Sequence, residues 1–378
     1  MNWRIILWSS AGIAALFASF VGTWLLSLPA APARGITPAI APEESEATIA
    51  ALKPPKRQRP LIAIVGINDM SETTDYLMPF GILKRADVAD VVTLATQPGP
   101  VRLFPVLTVQ PEATIAKFDT RHPDGADYVI VPAMSRDDDA TVLQWISAQA
   151  ARGAIVISVC AGTKVLANTR LLDGKRATTH WYYLKELGKS HPAIRYVADR
   201  RLVVDKGVAT TTGITASMPM ALTLIEAIAG RARAEAVARD IGLAAWDARH
   251  LSAAFTFTRP FALTAIGNTL AFGKREQLGV ALAPGVDEVS LALVADAWSR
   301  TYRSRAVTFA PTTAPVRSRN GLAILPDQAA ASWRADQTPP ATVDLPPARA
   351  LDETLRTIEA GYGRGTADFV AMQLEYPR

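Results

Sequence analysis

The sequence predicts an α/β protein. Its main domain is a parallel-sheet three-layer α/β/α sandwich, preceded by one transmembrane helix and followed by a partial second α/β unit. Three observations carry this. Short continuous apolar runs such as Leu61-Ile-Ala-Ile-Val-Gly66 and Tyr128-Val-Ile-Val-Pro132 have the character of strands buried on both faces. These runs alternate with segments of helical length, which calls for a parallel sheet with right-handed crossovers. Finally, residues Ile5 to Leu28 contain no charged side chain.

At 378 residues the chain suits about two domains of ordinary size. With 49% hydrophobic and 20% charged residues, it can bury a sizeable core, which excludes wholesale disorder. The net charge of +5 arises from 40 basic and 35 acidic side chains spread along the chain. That distribution fits a surface near anionic lipid better than a nucleic-acid footprint. One cysteine excludes an internal disulfide and any multi-cysteine metal site. His122, His180, His191 and His250 are widely spaced, so a metal site built from local ligands is not expected, and no cofactor is implied.

The uncharged N-terminal run spans about 36 Å as a helix, against about 30 Å of bilayer core. Trp3, Trp8 and Trp24 lie near its ends, or a turn or so in, where indole favours the interface. The small residues after Leu28 would also suit a cleaved signal, but signal h-regions are shorter, about 7–15 residues. A retained, single-pass anchor over residues 1–34 is therefore the expectation. Arg4 and the free amine favour an inside N-terminus, putting the bulk of the chain outside the cytoplasm, whereas Lys53, Lys56, Arg57 and Arg59 argue the other way.

Residues 35–59, rich in Ala, Pro and Glu without apolar periodicity, read as a linker. The α/β domain then runs over 60–243. Strands are expected at 61–66, 91–95, 128–132, 154–160, 202–205 and 208–212, with helices at about 72–85, 138–151, 162–169, 216–229 and 233–241. Residues 244–277 read as a connector, and 278–378 as the second unit with a helical tail at about 348–360. Leu278-Gly-Val-Ala-Leu-Ala-Pro-Gly-Val-Asp-Glu288 echoes the opening near Ile62 to Asp69, and Pro100-Val-Arg102 recurs as Pro315-Val-Arg317. Either the opening is duplicated, or two β-α-β openings simply look alike.

The chemistry concentrates at Ala154-Ile-Val-Ile-Ser-Val-Cys-Ala-Gly-Thr163, where a strand runs straight into a helix with Cys160 at the join. Such a turn strains the backbone at the nucleophile and needs small neighbours, supplied by Ala161 and Gly162. The helix N-terminus would favour a thiolate, and its free N–H groups at Ala161 and Gly162 could hold an oxyanion. The plainer reading is a buried structural cysteine.

Ser158-Val-Cys-Ala-Gly-Thr163, followed by Leu171-Leu-Asp-Gly-Lys-Arg-Ala-Thr-Thr-His-Trp181, resembles the DJ-1/PfpI superfamily, of the class I glutamine-amidotransferase-like, flavodoxin-like fold. It is most similar to the branch of isonitrile hydratases and AraC-type regulator sensor domains, over about residues 60 to 243. The resemblance implies that Asp75, in Asp75-Tyr-Leu-Met-Pro-Phe80, meets the cysteine as a neutral carboxyl or proton shuttle, with Glu72 as its rival. Either acid could instead be solvated at a helix start. It also places His180 near the cysteine as a supporting base, where the alternative is a histidine closing a turn. Two departures bear on the activity. Ala161 stands where protease-like members carry histidine, which disfavours peptidase activity. Ala161 and Met218-Pro219 also replace the threonine and the Ile-Asp pair of the hydratase-like branch.

Residues 243 to 378 show no pair of helix-turn-helix motifs, so a nucleic-acid partner is not expected. The reading is a membrane-anchored protein whose reactive cysteine acts on a small carbonyl, amide or nitrile-like compound, as a hydrolase or hydro-lyase. Its alternative is a non-catalytic ligand or oxidative-stress sensor. Related folds often dimerise, which implies a homodimer, unless the second unit fills that surface within one chain.

Overall fold

The computed structural model describes residues 16, 19–33, 35–271, 273, 275–333 and 342–377. The central sheet has the order β11-β12-β8-β7-β1-β3-β6. Its members are β1 (Leu61–Gly66), β3 (Asp90–Ala95), β6 (Ala113–Thr114), β7 (Tyr128–Val131), β8 (Ile155–Ser158), β11 (Leu202–Asp205) and β12 (Val208–Thr211). All neighbours are parallel except β11 against β12. Every residue of β1, β7 and β8 is buried, so these strands read as continuous apolar runs.

The two faces of β1 belong to different cores, as the two-residue period of a strand requires. Ile62 and Ile64 pack with helices α2 (Thr73–Ala86), α7 (Ser217–Ala229) and α8 (Arg231–Asp240). Leu61, Ala63 and Val65 pack with α3 (Ile115–Arg121), α4 (Ala140–Ala151) and α5 (Gly162–Asn168). This is the expected sandwich.

The predicted linker departs from expectation, because α1 (Pro42–Ala51) folds within it. Glu44 of α1 accepts two hydrogen bonds from Arg200, at 2.7 and 2.9 Å. The Tyr128 hydroxyl donates to the carbonyl of the buried Leu52 at 2.7 Å. These contacts tie the segment to the domain. Among the described residues, no helix is long and apolar enough to cross a membrane. Residues 5–15, 17 and 18 of the predicted span lie outside the described residues.

The second unit contains β13 (Glu276–Ala281), α10 (Glu288–Ser299), β14 (Ser304–Ala310) and β17 (Gln328–Ala329), with the three strands parallel in the order β13-β14-β17. A further sheet joins the two units in the order β15-β16-β5-β4-β2, built from β2 (Asp69–Glu72), β4 (Val101–Phe104), β5 (Thr108–Gln110), β15 (Val316–Arg317) and β16 (Ala323–Leu325). Before the second unit comes α9 (Arg259–Leu270), and after it α11 (Pro347–Tyr362) and α12 (Arg364–Leu374), the last of which the sequence reading did not anticipate. Gly363, with φ +85°, turns the chain between α11 and α12.

Helix α10 packs against α2, and Gly81 makes that approach possible. A β-carbon there would lie 2.4 Å from the Val289 side chain and 2.6 Å from Glu288 Oε1. Gly81→Val should therefore destabilise the protein by about 1–3 kcal/mol, despite replacing a helical glycine. Urea unfolding of the two proteins side by side measures this.

Candidate functional site

The site lies at the C-terminal ends of β1, β7 and β8, where open α/β sheets bind ligands. Cys160 takes φ +56° between β8 and α5, a left-handed conformation rarely adopted by a residue with a side chain. Three contacts hold it there. Its N–H donates to Thr211 Oγ1 at 3.2 Å, and its carbonyl accepts from Thr179 Oγ1 at 3.2 Å. Gly162 presses against β7 so closely that a β-carbon would meet the Val131 carbonyl oxygen at 2.2 Å. The strained turn predicted from sequence is therefore present, and the glycine after it is sterically required.

Cys160 is buried and lines a cavity of about 560 Å³. Phe104, Trp181, Tyr182, Phe257, Phe261, Tyr302 and Phe369 contribute aromatic surface, and Glu72, Lys164 and Arg300 are polar members. The rings interlock across the two units, with Trp181 edge-on to Phe261 at 5.5 Å and Phe261 against Phe369 at 4.7 Å. Lys164 is bound to Asp137 at 2.7 Å and Glu186 at 2.8 Å.

The electrostatics run against the expectation of a ready thiolate. Burial pushes the Cys160 thiol well above its ordinary value, and the neighbouring acidic groups Asp75 and Glu72 disfavour the thiolate further. A hydrogen bond from the Ala161 N–H favours the thiolate but is outweighed. The Gly162 N–H is already given to the Val159 carbonyl at 2.8 Å. It is therefore not available for an oxyanion, and of the two predicted donors only Ala161 remains.

Asp75 is fully buried, and burial together with the neighbouring Glu72 raises its carboxyl well above the usual range. That shift favours the neutral acid. The Ala133 N–H donates to Oδ2 at 3.0 Å, whereas Oδ1 is buried with no partner among the described residues. The carboxyl proton therefore belongs on Oδ1. Glu72, the rival acid, is the N-cap of α2, accepting from the Asp75 N–H at 2.6 Å and the Thr74 hydroxyl at 2.8 Å. Its other oxygen accepts from Arg300 at 2.7 Å. Neither acid is solvated.

His180 lines the cavity, but both its ring nitrogens are engaged. Nδ1 accepts from the Tyr182 N–H at 3.2 Å, which puts the proton on Nε2, and this donates to the Gln373 carbonyl at 3.0 Å. Burial also lowers its basicity. The ring closes the turn before Trp181 and fastens α12, leaving no lone pair for the thiol proton. Trp181 reinforces this attachment, donating to the Met372 carbonyl at 2.8 Å.

Arg300, Tyr302, Phe369 and Gln373 come from the second unit and tail, and no motif in the sequence marks them as site residues. Arg300 bridges Glu72 and Asp296, each at 2.7 Å. Among the described residues, no group of three or more His, Cys, Asp or Glu side chains could hold a metal ion.

Residues 62–227 match the DJ-1/PfpI family model. An isonitrile hydratase of Pseudomonas putida is 42% identical over 94 residues, which cover 25% of this chain and 40% of that protein. Protein dj-1beta of Drosophila melanogaster is 22% identical over 184 residues, covering 47% of this chain and 95% of that protein. The crystal structure of Drosophila DJ-1beta superposes with a TM-score of 0.45 at 20% identity, covering 50% of this chain and 100% of that chain. The chain thus contains a DJ-1/PfpI family domain, with isonitrile hydratase and DJ-1 among its homologues.

Burial pushes Asp296 up from 3.8 to about 7, with Arg300 pulling it down and Glu72 pushing it up. The folded state therefore binds more protons than the unfolded state between these values. The associated stabilisation is complete below the unfolded value and is lost as the pH rises through about 7. Asp296→Asn should reduce the loss of stability between pH 5 and pH 7.5, which urea unfolding at the two pH values would record. Asp75 contributes in the same direction, so part of the slope remains.

Proposed function

We propose that the chain is a cysteine-dependent hydrolase or hydro-lyase acting on a small apolar compound that bears a carbonyl, amide or nitrile-like carbon. The observation that carries this reading is Cys160 in its left-handed turn, at an aromatic-walled cavity, with a neutral acid buried beside it. The thiol is protonated at rest, so sulfur attack must be coupled to proton transfer. In the addition step a bond forms between Sγ and the electrophilic carbon as one bond of C=O or C≡N opens. The heteroatom takes the Asp75 proton from Oδ1, and the thiol proton restores the carboxyl. With a nitrile the adduct is a thioimidate, which water converts to the amide with return of the thiol. With an isonitrile the proton goes to the attacked carbon, and water converts the thioformimidate to the formamide. With an amide the tetrahedral adduct expels the amine, protonated by Asp75, and water cleaves the resulting thioester to the acid and the thiol. The Ala161 N–H is the remaining backbone donor at the sulfur.

The uncharged run 5–28 supports a membrane tether, and so does α9. Phe261 and Ala265 of α9 line the cavity, while its outer face exposes Leu263, Ile266 and Leu270. An aromatic cavity beside such a surface suits a substrate that partitions into lipid.

A second reading, a ligand sensor without turnover, is favoured by the raised thiol. The same feature weighs against an oxidant switch, which needs a thiolate.

Turnover decides between the first two. Wild type should convert at least one member of a panel of aromatic isonitriles, nitriles, amides and aldehydes followed by NMR. Cys160→Ser should abolish conversion, and Asp75→Asn should lower kcat/KM by about 10²–10⁴-fold. Binding of panel members without conversion by wild type would favour the sensor.

A further inference from the structure

The two units are related by a constant displacement of 215 residues. Strand β1 at Leu61–Gly66 corresponds to β13 at Glu276–Ala281, β5 at Thr108–Gln110 to β16 at Ala323–Leu325, and β6 at Ala113–Thr114 to β17 at Gln328–Ala329. Side-chain contacts repeat at the same displacement. The Thr93 N–H donates to Glu112 at 3.0 Å, and the Thr308 N–H donates to Asp327 at 2.8 Å. The hairpin bond from the Leu103 N–H to the Leu107 carbonyl, 2.9 Å, returns between Ser318 and Leu322 at 2.8 Å. Two unrelated β-α-β openings would not share such pairs.

The units also meet as the halves of a symmetric dimer meet. In a two-fold interface, residue i touches j and the equivalent of j touches the equivalent of i. Val109 pairs in register with Ile324, its own counterpart, so the axis passes between them. Arg85 of α2 binds Asp287, the N-cap of α10, at 3.0 Å. Its counterpart Arg300, in the turn that ends α10, binds Glu72, the N-cap of α2, at 2.7 Å. The symmetry stops at the chemistry. Ser290 stands at the position equivalent to Asp75, and the unit contains no cysteine.

We propose that residues 276–329 are a second copy of residues 61–114 standing where a second subunit would stand, and that Arg300 is thereby a positioning residue for Cys160. Arg300 lines the cavity, fixes Glu72 and offsets the Glu72 charge, which would otherwise oppose a thiolate unbalanced. Arg85 makes the equivalent pair away from the cavity. The two arginines thus have the same structural duty, and only one of them has a chemical duty. This inference rests on Cys160 being the reactive group.

The test is the pH profile of Cys160 alkylation by iodoacetamide in the full-length, detergent-purified protein, where Cys160 is the sole cysteine. Arg300→Met should move the titration upward by about one pH unit, about tenfold slower alkylation below the titration. Arg300→Lys should fall between this variant and wild type. Arg85→Met should superimpose on wild type while lowering thermal stability. Glu72→Gln, which removes the charge that Arg300 balances, should move the titration downward and keeps the test decisive if Arg300→Met does not fold. An Arg300→Met profile coincident with wild type, an Arg85→Met shift of equal size, or an unmoved Glu72→Gln profile would overturn the inference. A wild-type Cys160 that resists alkylation throughout would overturn the cysteine reading first.

Discussion

A guanidinium removed from water is tolerable only where carboxylates meet it with good geometry. Arg300 satisfies that condition between Glu72 and Asp296, and much of the molecule is arranged around the result. Because Glu72 caps α2, the ion pair fixes the start of the helix that carries Asp75. Because Arg300 ends α10, it also fixes how closely the second unit approaches, an approach that Gly81 makes sterically possible. The Gln373 side chain donates to the Arg300 carbonyl at 3.0 Å, extending the same network into the last helix. Glu72 and Asp296 share this largely buried cation, and Asp75 lies close enough to Glu72 to feel its charge. Asp75 and Asp296 are the ones displaced towards the neutral form.

The displaced acid sits where a proton donor is wanted. Burial shifts the thiol beside it in the same direction, towards the protonated form.

Much of the central domain is legible in the sequence, because buried parallel strands leave continuous apolar runs and Leu61–Gly66 has no other good reading. The elbow is legible too, since Cys-Ala-Gly after such a run leaves little choice of turn. The helix at Pro42–Ala51 escaped because its stripe is weak. It is held by single contacts such as Glu44–Arg200, which have no local signature. The role of His180 was open because it depends on Gln373, distant in sequence. Arg300 escaped for a subtler reason. The echo at 278–288 was visible in strand and loop, but its functional consequence lies in extending the register as far as the helix end, where Arg85 and Arg300 align.

The self-pairing of Val109 with Ile324 has a consequence for biosynthesis. The apolar surfaces of α2 and β5 emerge from the ribosome long before the strand that covers them. At roughly 5–20 residues per second, the intervening stretch takes roughly ten to forty seconds to make. Throughout that interval each nascent chain displays the β5 edge that β16 later covers, and neighbouring chains on one messenger display the same edge. Fusing the covering copy in cis raises its effective concentration once it is made. Until then, the hazard is a swapped pairing between the β5 of one nascent chain and the β16 of another, which places a premium on chaperone shielding during synthesis.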